Sequence, residues 1–125
     1  MQLGDIFLWN TNQAAGHNLR DKYHVYICEG DWRAGNTFLF ISKQNYGCDY
    51  PIRKADYPFF PLEVSYISCT NIIHYDNQEL AAFDHRTPLG RLSKQHLKEL
   101  SEAIIAGGAM VEWEMQRVCN AIAAG

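Results

Sequence analysis

The feature that most constrains this 125-residue chain is a change of texture near residue 76. Up to that point aromatic and β-branched residues come in short runs broken by Gly, Asn, Asp and Pro. Afterwards apolar residues recur at helical spacing. The runs at 4–10 (GDIFLWN), 22–29 (KYHVYICE), 36–42 (NTFLFIS), 63–68 (EVSYIS) and 71–76 (NIIHYD) have the composition of pleated, half-buried surface, and each is read as a strand. Leu97, Leu100 and Ile104 then share one helix face. Ser93 is placed as N-cap and Gly107-Gly108 as the stop. A second helix over about 109–123 carries the stripe Val111, Met115, Val118 and Ile122. The pattern predicts one domain over 1–125, mainly β with C-terminal helices (α+β). Its parts are a small β-barrel of about five strands in residues 1–76 and a helical pair at 92–123.

Charge follows the same division. The formal net charge is −3, which excludes a globally basic nucleic-acid binder. Residues 1–62 hold six basic and six acidic side chains, so the acidity lies in the second half. The positive charge of the first half gathers at 17–24 and 43–54. No apolar run reaches the length of a membrane span, and MQLGDIFLWN lacks the basic start of a secretory signal. A cytoplasmic protein with no membrane contact is expected. Cys28, Cys48, Cys69 and Cys119 form no CxxC or CxxH pair, so neither a metal nor another cofactor is expected. The sequence has no GxSxG, HExxH, P-loop or GxGxxG motif.

Two clusters carry chemistry. In Gly16–His24, His17 and His24 are proton carriers near neutrality, and Arg20 and Lys22 are phosphate binders. In 42–54, Ser42 and Lys43 end a strand, Tyr46 and Tyr50 are flat stacking surfaces, and Arg53-Lys54 add charge. Tyrosines beside cations suit single-stranded nucleic acid. The segment 43–61, with three prolines and five aromatics, is long for a loop in a compact domain, and such loops are often functional. Phe59 and Phe60 are expected to pack it down. His74 reads as a core or groove histidine, and His85 and His96 as surface residues. Trp113 reads as a packing residue; Met110, Trp113 and Met115 together offer an alternative face for a partner.

The order of these pieces resembles the PemK/MazF (Kid-type) toxin family. The matching features are the GDIFLWN opening, the loop ending Gly16-His17, an apolar strand ending Ile41-Ser42, and SYISCTNIIHYDNQEL followed by LGRLSKQHLKEL. Together they cover about residues 4–105. The resemblance implies an SH3-like barrel, usually a homodimer. It also implies a metal-independent endoribonuclease acting on single-stranded RNA through 2′-OH attack, whose growth inhibition ends when a protein antitoxin binds across the RNA groove. Carried over by position, His17 is the acid/base group and Ser42 positions the scissile phosphate. Arg20, Lys22 and Lys43 line the groove, and Arg20 is the freest substitute for the arginine that many members carry in an Arg-Pro pair, here Tyr23-His24. Asn18, Ser68 and Thr70 stand where Kid-type members carry Glu, Arg and Asp. The assigned set is thus His17, Arg20 and Ser42 for catalysis, with Lys22, His24, Lys43, Tyr46, Tyr50 and Arg53 for RNA binding. The alternative is a catalytically silent module that binds a protein, or RNA without cleaving it.

Overall fold

The computed structural model describes residues 1–13, 18–30, 35–83 and 87–125. Among the described residues, seven strands and three helices follow in this order: β1 Asp5–Thr11, β2 Arg20–Cys28, β3 Asn36–Ser42, β4 Tyr50–Arg53, β5 Val64–Ile67, β6 Ile73–Tyr75, α1 Asn77–Ala81, β7 Gly90–Arg91, α2 Lys94–Gly107 and α3 Glu112–Ala124. The strands form one antiparallel sheet in the order β4-β5-β3-β2-β1-β7, with β6 also on β3, curled into a half-barrel. The expected mainly-β domain with two C-terminal helices is the architecture seen.

The central strands are apolar on both faces because both faces are covered. Along β1, Ile6 points to an aliphatic side and Phe7 and Trp9 to an aromatic one. β2 sends Val25 one way and Tyr26 the other; β3 alternates Phe38, Leu39, Phe40 and Ile41. The aliphatic side receives Leu97, Leu100 and Ile104 from α2 and Val118 from α3. The aromatic side is closed by β6, α1 and Phe83. There Trp9 lies between Phe7 and Phe83, its ring centroid 4.5 Å from each.

Five strands match the runs read from sequence. β4, β7 and α1 do not, since Pro51 and the short lengths hide them. α1 has a capping box that the sequence does spell: Asp76 accepts from the Glu79 N–H at 2.7 Å, and Glu79 accepts from the Asp76 N–H at 3.0 Å. α2 starts and stops as read. Ser93 Oγ accepts from the His96 N–H at 3.1 Å, and Gly108, at φ +61°, supplies the left-handed turn.

α3 begins at Glu112, later than read, so Val111 lies outside the helix and is 56% exposed rather than part of the stripe. The alternative partner face is also corrected. Met110 is buried, and Trp113 and Met115 pack against the aliphatic core. Arg117 fixes α3 to the sheet, donating from Nε to Thr37 Oγ1 at 2.8 Å and from a second nitrogen to the Glu29 carbonyl. Among the described residues, no helix is long and apolar enough to cross a membrane.

Leu100 is fully buried, whereas Ile105 on the same helix is 56% exposed. Leu100→Ala is expected to cost about 3 kcal/mol in urea unfolding, and Ile105→Ala less than about 0.5 kcal/mol. Equal costs would contradict this placement of α2.

Candidate nucleic-acid interface

The antiparallel register pairs Tyr23 with Ile41, which sets Lys22 of β2 opposite Ser42 of β3. Lys22 Nζ donates to Ser42 Oγ at 2.9 Å. Its Nζ lies over the Phe40 ring, 5.4 Å from the centroid. Burial, then the charges of Arg20 and Lys43, lower the Lys22 pKa below the ordinary lysine value. This pair lies in a groove of about 620 Å³ lined by Arg20, Asp21, Lys22, Tyr23, Ile41, Ser42, Lys43, Gln44, Tyr46, Pro61, Leu62 and Ser65.

One wall of the groove is the segment after β3, held by short polar bonds. Buried Asp49 accepts from the Tyr46 N–H at 2.9 Å and from the Cys69 N–H at 3.1 Å, tying the segment to the end of β5. Asn45 Oδ1 accepts from the Gly47 N–H at 2.9 Å. Gly47 sits at φ +129°, a conformation that residues other than glycine rarely tolerate. The result leaves Tyr46 71% exposed. Leu62 is also exposed, and with Pro61 it adds apolar surface to the lining.

Five of the assigned residues, Arg20, Lys22, Ser42, Lys43 and Tyr46, therefore meet in one groove. His17 lies outside the described residues. Tyr50 and Arg53 sit on β4 and do not line the groove. The Tyr50 hydroxyl donates to Glu99 Oε1 at 3.3 Å, and burial, then the Glu99 charge, push its phenol up to about 12. Tyr50 thus packs β4 against α2. Sequence reasoning missed Pro61 and Leu62; the one signal for them is an apolar pair at the end of the proline-rich segment.

His24 requires the largest correction. The sequence assigns it to RNA, but it is fully buried on the aromatic side. Its Nδ1 is 2.8 Å from the Lys22 carbonyl, and its Nε2 is 2.8 Å from the Tyr75 hydroxyl, which bonds Thr11 Oγ1 at 2.8 Å. Trp9, Phe38, Phe40, Tyr75 and Phe83 surround the ring. Lys22 and His24 do share a strand face, yet β6 and Phe83 cover only the inner end of it. Two other histidines change places. His74 is exposed on β6, not in the core; His96 is half-buried, with Nδ1 2.6 Å from the Tyr57 hydroxyl. The aromatic packing expected for Phe59 and Phe60 is present, with Phe60 buried, and Tyr57 is buried beside them.

Comparison with protein-family models, curated proteins and solved structures finds no match to the chain.

Burial lowers the His24 pKa from 6.5 to about 4. The folded protein therefore favours the neutral ring, and the unfolded chain takes up the proton first as pH falls. Stability from this group is full above about pH 6.5. It is lost progressively toward pH 4, by up to roughly 3 kcal/mol. Thermal melts from pH 7 to 4 are expected to show that decline, and His24→Gln to flatten it. An equally steep decline in the variant would exclude His24 as its source.

Proposed function

We propose that the groove between β2, β3 and the 43–62 segment binds single-stranded RNA and cleaves it without a metal ion. The observation that carries this reading is the convergence of Arg20, Lys22 and Lys43 with exposed Tyr46 around the Lys22–Ser42 pair, in a chain that is acidic overall. Cations spaced along a groove hold successive phosphates, and an aromatic face stacks an unpaired base. A duplex keeps its bases stacked inside and offers nothing to Tyr46. The colinear resemblance to PemK/MazF toxins supports the same substrate and adds the reaction. The ribose 2′-oxygen attacks the adjacent phosphorus, cations stabilise the charge on the phosphoryl oxygens, and the 5′-oxygen leaves with a proton. In this reading Ser42 seats the scissile phosphate, with Lys22 beside it, and Arg20 balances the developing charge. A homodimer and a protein antitoxin laid across the groove belong to the same proposal.

The test is a mixed single-stranded RNA pool incubated with the protein in EDTA. Discrete fragments ending in cyclic phosphate are expected. A stable complex with intact RNA would leave the silent module, and an RNA pool neither cleaved nor bound would overturn the reading. Arg20→Ala with Lys43→Ala is expected to weaken RNA binding at least tenfold. It should also reduce the slope of log affinity against log salt by about 0.7 for each phosphate no longer neutralised. An unchanged slope would place the RNA elsewhere.

A further inference from the structure

We infer that Lys22 is the general base of this groove, taking the 2′-hydroxyl proton, and that Ser42 orients it for that transfer. The inference rests on the RNA-cleaving reading above and names the proton acceptor that the reaction needs. An acceptor must lie in the groove, reach a bound ribose, and be able to lose its own proton near neutral pH. The described groove residues offer few such groups. Arg20 carries a guanidinium, a donor group with no acceptor to offer. Asp21 is exposed, and its Oδ1 accepts from Asn10 Nδ2 at 3.1 Å, across the strand pair from the Lys22–Ser42 contact. Tyr46 and Tyr23 are phenols, and Lys43 is exposed on the wall segment. His24, next along the strand face, is sealed in the aromatic box with both ring nitrogens engaged.

Lys22 satisfies the geometry. Strand pairing fixes its backbone, the Phe40 ring lies beneath Nζ, and Ser42 Oγ holds Nζ at 2.9 Å. Half-burial and two flanking cations then ease its deprotonation. The Phe40 face works the other way, favouring the charged amine once the proton has been taken up.

Neutral Lys22 Nζ takes the 2′-O–H proton as the 2′-O–P bond forms and the P–O5′ bond breaks. Water supplies the proton to the departing 5′-oxygen, and Lys22 later returns its own to solvent. The products are a 2′,3′-cyclic phosphate and a 5′-hydroxyl.

The test compares wild type, Lys22→Arg and Ser42→Ala on a single-stranded RNA that the wild type cleaves. Binding is measured on the same sequence with 2′-O-methyl sugars. Arginine fixes a positive charge at this position and cannot act as base at neutral pH. Lys22→Arg is therefore expected to bind the methylated RNA no more weakly than wild type while cleaving at least about 100-fold more slowly. The acidic limb of the wild-type pH–rate profile should coincide with the titration of Lys22 Nζ followed by ¹⁵N NMR, and should move in Ser42→Ala. If wild type cleaves and Lys22→Arg cleaves equally well with the same limb, this inference fails and the RNA-cleaving reading stands. If wild type leaves RNA intact, both fail.

Discussion

Everything in this molecule depends on the sheet being covered on both faces. A sheet with one wet face alternates apolar and polar residues. Here β1, β2 and β3 alternate aliphatic and aromatic ones, because α2 and α3 cover one side while β6, α1 and Phe83 cover the other. The aliphatic side provides the bulk of the core. The aromatic side sets positions: stacked rings and the chain His24–Tyr75–Thr11 lock β2, β6 and β1 together through bonds that have fixed lengths and directions.

The site follows from where that cover ends. On the shared face of β2, His24 is sealed, and Lys22, two residues nearer the strand start, has come out from under the aromatic lid. On β3, Phe40 still belongs to the aromatic side and Ser42 lies beyond it. The edge of the lid thus creates a half-buried rim where a lysine and a serine face each other across paired strands, supported by the last ring of the box. A fully buried lysine would cost several kcal/mol unless paired, and a fully exposed one would titrate like any other. The rim between these limits is where proton affinity is tunable. The Asp49 bonds then hold Tyr46 out beside it.

Much of the fold was legible because long elements announce themselves. The runs containing Ile6, Val25 and Leu39 and the stripe Leu97, Leu100, Ile104 lie where period and composition put them. Short elements were hidden: β4 contains a proline, β7 has two residues, and α1 has a capping box but only five. The site was half legible. Arg20, Lys22, Ser42, Lys43 and Tyr46 stand out by type. Which face of β2 a residue takes is also readable from the period of two. Where burial stops along that face is not, because it depends on β6, α1 and Phe83, some fifty or more residues away. That is why His24 reads as a partner of Lys22 when it belongs to the core, and why Tyr50 reads as a stacking surface when it braces a helix.

The central claim is that single-stranded RNA occupies the rim where the aromatic cover ends. Amide chemical-shift mapping with a short, uncleavable 2′-O-methyl oligonucleotide tests it most directly. Shifts confined to Arg20–Tyr23, Ile41–Tyr46 and Pro61–Ser65, with α3 silent, are the expected result. Shifts centred on α2 and α3, or none at millimolar oligonucleotide, would contradict it.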